Sequence, residues 1–256
     1  MTQDNIPNTE QARKTWLLKP ENRDPIARRG AGSVYYSGSL SDVKNLRLVV
    51  STRSQQTGGG LAHFGGLGEV EDIIKDDILA TGIQNARREG QEEMEELLGY
   101  QPELDADKFV FLYAAKDDGF FIKNGKGFPV DARLHACEMD TALYEDMFPN
   151  GETIRHRDPN HKGFQETNKA ESFLFLDILK RQNDYHYPHE YFALWVMADK
   201  VLNIDVTTLI KDSGVDFAKL ADKMHTDIAT LESYLGPKYS GKLSPSTKKK
   251  ASPKFG

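Results

Sequence analysis

Apolar residues along the first three quarters of the chain fall mostly in short runs with strand-like alternation, broken by turn residues, and one long segment there has a helical character. Ala31 to Ser37, with Val34, Tyr35 and Tyr36, and Leu46 to Ser51, with Leu48, Val49 and Val50, predict two strands separated by the turn-forming stretch Ser39 to Asn45. Glycines then cluster at 58, 59, 60, 65, 66 and 68. Thr81-Gly82-Ile83-Gln84 has the form of a capping box, and the following segment to Leu98 is dense in Glu, Arg, Gln, Met and Leu, which predicts a helix ended by Gly99. Further strands are predicted over Phe109 to Ala115, Gly119 to Ile122 and Val130 to Met139, and a short helix over Thr141 to Phe148. Pro149 to Gln165 reads as a polar loop, whereas the apolar run Ser172 to Ile178 fits strand or helix equally.

From His189 the period becomes helical: Tyr191, Leu194, Trp195 and Ala198 share one face, and Phe217, Leu220, Met224, Ile228 and Leu231 another. The expected architecture is α+β, a mixed sheet with an embedded helix and a C-terminal helical extension. Four regions are expected: an irregular leader over 1–28 whose Trp16, Leu17 and Leu18 dock on the core, a main domain over 29–188, a helical appendage over 189–235, and a disordered basic tail over 236–256.

Composition narrows the function. One cysteine, Cys137, excludes an internal disulfide framework and a multi-cysteine zinc site. No run approaches the roughly 20 apolar residues of a membrane span, the first 24 residues lack the order of a secretory signal, and a cytoplasmic location without membrane contact is expected. Net charge is −6, and the six lysines beyond Gly236, unaccompanied by any acid, leave the rest of the chain at −12. An acidic body of this kind argues against general duplex-DNA binding and fits a cleft that holds divalent cations.

The chemistry concentrates in Arg88-Glu89-Gly90-Gln91-Glu92-Glu93. At about 100° per residue, Glu89, Glu92 and Glu93 crowd into one arc of a helix, an arrangement that repels itself by a few tenths of a kcal/mol per pair. A divalent cation reverses the sign, because carboxylate oxygens are the ligands that Mg²⁺ and Mn²⁺ prefer. Arg88 can hold such ligands by offering its planar fork to a carboxylate or to the glycine loop.

These residues resemble the Nudix hydrolases, whose box runs G-x5-E-x7-R-E-U-x-E-E-x-G-U with U apolar. Gly65-Gly66-Leu67-Gly68-Glu69 is similar to its opening and Ala86 to Glu93 to its helix, and the order strand, glycine loop, helix, strand is what that fold requires. The resemblance implies a Nudix-like α/β/α sandwich and assigns Glu89, Glu92 and Glu93 to a Mg²⁺ or Mn²⁺ ion and Arg88 to their support.

The resemblance has departures. Arg88 follows Gly66 by 22 residues where the family has 14, so eight residues are inserted, expected within Val70 to Ala80. Counting back from Arg88 reaches Ala80 at the place of the first glutamate, and Asp72, six residues after Gly66, is the loose candidate for that role. Gly90 replaces an apolar residue, and Glu95 and Glu96 stand where a glycine and an apolar residue belong.

The implied activity is hydrolysis of a pyrophosphate bond in a nucleoside diphosphate linked to another moiety, such as ADP-ribose, NADH or a dinucleoside polyphosphate. Nucleic acid is not expected as a partner beyond a capped RNA end, and a homodimer is an open expectation. The alternative is a non-catalytic or regulatory Nudix-fold module whose C-terminal helices meet a partner. Glu166 and Glu171 are candidates for a general base, each weighed against a plain surface carboxylate. Gly65, Gly66, Phe64 and Arg157 are candidate substrate contacts, Phe64 weighed against a core aromatic and Arg157 against a surface loop. His135 reads as a structural histidine, and Tyr185 to His189 either as a stacking surface for a purine or as an aromatic hinge.

Overall fold

A computed structural model describes residues 29–55, 58–72, 74, 77–117, 130–149, 151–156 and 167–243. The leader, most of the basic tail, the expected strand Gly119 to Ile122, Glu166 and Arg157 lie outside the described residues. The alternating segments form strands β1 (Arg29–Ser37), β2 (Arg47–Thr52), β3 (Leu61–Ala62), β4 (Phe64–Leu67), β5 (Phe109–Asp117), β6 (Val130–Glu138), β7 (Thr153–Arg155) and β8 (Lys169–Leu174). Their order is β5-β6-β1-β2-β8-β7, with β3 paired to β2 and β4 to β1. The sheet is mixed, because β1 and β6 run parallel while the other pairs are antiparallel. β1 changes partner along its length: Gly30 to Ser33 lie against β4, and Tyr35 to Ser37 against β2.

Strand alternation divides the buried side chains between two cores. Tyr35, Val49, Phe64, Phe109 and Cys137 face helix α1 (Ile78–Leu98), whose Ala86, Met94, Leu97 and Leu98 complete that core. Val34, Tyr36, Leu48, Val50, Leu134 and Ala136 face the opposite side, where α4 (Pro188–Lys200) packs. Between these helices in the chain lie α2 (Thr141–Met147) and the one-turn α3 (Phe175–Ile178). The ambiguous run Ser172 to Ile178 is therefore both things at once, the end of β8 and the whole of α3.

Helix α1 begins earlier than the capping box predicts. Asp77 is the N-cap, its carboxylate accepting from the Ala80 amide at 2.8 Å. Thr81 lies inside the first turn, where its hydroxyl donates to the Asp77 carbonyl at 2.7 Å. The aspartate is reached first and is as good a cap as threonine. Gly99 ends the helix in the left-handed region, φ 81°, as its position predicts.

The segment beginning at 189 has its first helix in the core of the sheet: every residue of α4 from Glu190 to Ala198 is buried. The single apolar face predicted there is absent because the sheet covers one side, while α5 (Val206–Ser213), α6 (Phe217–Lys223) and α7 (Ile228–Leu235) cover the other. The predicted face from Phe217 to Leu231 is shared by two short helices, interrupted at His225 (φ 51°) and restarted by the N-cap Asp227. Among the described residues no helix is long and apolar enough to cross a membrane.

Glu190 is buried in this second core, where one carboxylate oxygen accepts the His63 amide at 2.9 Å. Burial pushes its carboxyl up to about 8, against the opposing pull of the His63 amide and Arg53; Tyr113 and Tyr185 lie within its electrostatic reach. The folded protein thus holds this proton to a higher pH than the unfolded chain, whose carboxyl titrates near 4.5. Between those values the native state binds more protons, so this group's contribution to stability falls as pH rises through the window. Glu190→Gln keeps an acceptor for His63 and removes the cost of ionisation. Its melting temperature is expected to gain on the wild type between pH 5 and pH 8, by roughly 2–4 °C per kcal/mol relieved; an equal difference at both pH values contradicts this reading.

Candidate active site

The site forms where β4 runs beneath α1. Gly65 lies so close to β1 that a Cβ there would stand 2.3 Å from the Ala31 carbonyl oxygen. A Cβ on Gly66 would stand 2.2 Å from a Glu89 carboxylate oxygen. The first glycine lets two strands close up, and the second leaves room for an acid of the helix. Gly66→Ala is expected to leave the melting temperature nearly unchanged, since the obstacle is the movable end of a side chain, yet to displace Glu89 and lower turnover by about tenfold to a hundredfold. Unchanged turnover would show that Glu89 is free to move without consequence.

Arg88 is the hub that joins loop and helix. Its Nε donates to both Asp72 carboxylate oxygens at 3.1 and 3.2 Å, and one terminal nitrogen donates to Glu92 at 2.9 Å. The other terminal nitrogen donates to the Leu67 carbonyl at 3.0 Å, to Asp72 at 3.1 Å and to Glu89 at 2.7 Å. Asp72 is 1% exposed and also accepts the Glu69 amide at 2.8 Å. A planar guanidinium with five donors is the side chain that can serve so many acceptors at once.

Asp72 and Arg88 are 16 positions apart, so the pair is not visible as a helical spacing. The forward count from Gly66 was the only sequence signal that pointed to Asp72. The Leu67 carbonyl gave no signal at all, because a backbone acceptor carries none.

Helix geometry gives the three candidate metal ligands different surroundings. The Glu89 side chain is 15% exposed, and burial pushes its carboxyl up to about 7 despite the opposing pull of Arg88. Glu92 is 52% exposed, and Glu93 is half-buried. Among the described residues no group of three or more histidine, cysteine, aspartate or glutamate side chains is arranged as a metal cage. The acids gather on a guanidinium instead: Glu89 and Glu92 turn towards Arg88, which carries the nearest positive charge. Their donor chemistry nevertheless fits a divalent cation. They are hard carboxylate oxygens on one arc of a helix, and Glu89 is a buried acid whose ionised form a cation would favour.

In fold, the chain is similar to solved Nudix hydrolases. The Nudix hydrolase from Alicyclobacillus acidocaldarius shares 14% identity over 66% of this chain and 89% of its own, with a TM-score of 0.43. The C. elegans Ap4A hydrolase binary complex shares 13% over 69% and 98%, with a TM-score of 0.38, and Shewanella oneidensis NrtR 11% over 78% of each chain, with a TM-score of 0.40. No family model and no curated protein matches the chain.

Several candidates lie elsewhere. Glu171 of β8 is paired in register with Val50, which faces the α4 core, and so points away from α1. Its carboxylate is held by Lys169 at 2.8 Å and Thr52 at 3.1 Å, so it is a structural ion-pair partner rather than a base at this site. Phe64 is fully buried, edge-on to Tyr35 at 5.7 Å, and is a core aromatic rather than a substrate contact. His135 is buried beside Phe109 and Phe111, and burial pushes it down to about 4, which keeps the ring neutral. Tyr185 is buried against His63 and Tyr191, and its neighbours Asp184 and His186 are hydrogen-bonded to Leu61 of β3, which ties the start of this stretch to the sheet.

Proposed function

We propose that the chain is a Nudix-type hydrolase that cleaves a pyrophosphate bond in a nucleoside diphosphate linked to another group. The observation that carries this reading is the Arg88 hub, which fastens the glycine loop through Leu67, the acid Asp72 and the helix acids Glu89 and Glu92 to one guanidinium. It supports aligning Gly66-x5-Asp72 with the start of the Nudix box and Arg88 to Glu93 with its helix. Asp72 then does the work of the first glutamate, and the whole eight-residue insertion falls between Asp72 and Arg88, where it lengthens the approach to α1 and its first turns.

Glu89, Glu92 and Glu93 would hold a Mg²⁺ or Mn²⁺ ion, which would neutralise phosphate charge and acidify an attacking water. The chain's own contribution is to fix these carboxylates. Arg88 orients Glu89 and Glu92, and Gly66 leaves the space into which Glu89 projects. With Glu171 on the opposite face, the general base is sought among the helix acids and Glu166. The regulatory alternative gains no support from the C-terminal helices, since α4 is buried from Glu190 to Ala198 and the stretch from Asp216 to Tyr234 sets four acids against two lysines.

The test is a panel of ADP-ribose, NADH, dinucleoside polyphosphates, capped RNA and nucleoside triphosphates with Mg²⁺ or Mn²⁺. Release of nucleoside monophosphate or phosphate from at least one, abolished by EDTA, is expected. Binding of ADP-ribose without turnover of any compound would favour the non-catalytic module.

A further inference from the structure

Gly90 sits in the middle of α1, where glycine costs about 1 kcal/mol relative to alanine and where the Nudix pattern has an apolar side chain. The reason lies in the strand below. A Cβ on Gly90 would stand 1.9 Å from the Tyr35 hydroxyl oxygen, 2.9 Å from its Cζ and 3.4 Å from Leu104 Cδ1. The helix backbone therefore rests directly on the tip of Tyr35, a side chain of β1 that is fully buried. Phe64 and Phe109 meet its ring edge-on, at 5.7 and 6.2 Å, and leave it little freedom to tilt. Gly90 follows Glu89 directly and precedes Glu93 by one turn, so the contact fixes the height and rotation of the helix where the acids project. The Tyr35 hydroxyl also lies within electrostatic reach of Glu93.

We infer that Tyr35 is a positioning residue: seated against Gly90, its hydroxyl sets the register of α1 over the sheet and holds Glu89 and Glu93 where they share a cation. The inference rests on the metal-dependent reading above. It makes Tyr35 and Gly90 one size-matched unit that replaces the apolar side chain of the family pattern. Neither residue touches substrate; both act through the placement of the acids.

Binding of Mn²⁺ to the full chain, read from the paramagnetic resonance of the free ion, separates this role from plain packing. Tyr35→Phe keeps the ring and removes the seat. It is expected to weaken Mn²⁺ binding about tenfold with a melting temperature close to that of the wild type. Gly90→Ala should weaken binding further, and adding Tyr35→Phe to Gly90→Ala should recover part of the loss, because the two changes are coupled.

An unchanged Mn²⁺ dissociation constant in Tyr35→Phe, whatever its melting temperature, would overturn the positioning role, as would a double variant no better than Gly90→Ala. If Gly90→Ala does not fold, the Tyr35→Phe comparison decides alone. Failure of the wild type to bind Mn²⁺ would instead remove the metal-dependent reading itself, and this role with it.

Discussion

Replacing Arg88 by methionine is expected to lower folding stability by about 3–5 kcal/mol, the loss that follows when a buried charge pair is broken from one side. The Asp72 carboxylate, at 1% exposure, would keep, among the described residues, only the Glu69 amide as a hydrogen-bond partner, and Glu89 and Glu92 would lose the cation between them. Although burial lowers the Arg88 pKa, the hydrogen bond to Asp72 and the charges of Glu89, Asp72 and Glu92 outweigh it and push the pKa well above the ordinary range. Arg88→Lys should recover only part of the stability, because one ammonium cannot reach Asp72, Glu89, Glu92 and the Leu67 carbonyl together. Urea unfolding of the two variants beside the wild type measures this directly. A loss below about 1 kcal/mol in Arg88→Met would place the pair among ordinary surface bridges and remove the hub from the account.

Glu93→Gln is expected to lower turnover about a hundredfold, equivalent to roughly 2.7 kcal/mol of transition-state stabilisation, by removing one anionic ligand of the cation. Stability should change little, since the substitution is isosteric and the side chain is only half-buried. Glu171→Gln supplies the contrast. Its carboxylate meets Lys169 and Thr52 on the far side of the sheet, so turnover on the same substrate should match the wild type. Steady-state kinetics on whichever panel compound is hydrolysed, with melting curves beside them, read both. Full activity in Glu93→Gln would reject the assignment of this helix.

Much of the fold was legible because its signals are local. Alternation marked β1, β2, β5 and β6, and Gly99 marked the end of α1. What could not be read depends on distant partners. A strand's alternation shows that it has two faces but not which one carries α1, and a shift of one residue exchanges them. Glu171 was a reasonable base on the sequence alone; its pairing with Val50 decides its face. The Asp72–Arg88 contact was masked by the insertion, which breaks the motif's spacing while leaving the two side chains in reach. The burial of α4 on all sides was hidden for a related reason, since a helix between a sheet and other helices has no polar stripe to give it a period. Gly90 was visible as a departure, but its cause lies 55 residues earlier in Tyr35.

The central claim is that Glu89, Glu92 and Glu93 take a divalent cation from the side of the glycine loop. Anomalous scattering from crystals of the protein grown with Mn²⁺ and a non-hydrolysable nucleoside diphosphate analogue tests it most directly. The account expects a manganese peak in contact with carboxylate oxygens of at least two of these residues, lost in crystals of Glu93→Gln or moved to a weaker site. A wild-type map with no such peak, and with Glu89 and Glu92 still turned onto Arg88 in the presence of the ion, would contradict it.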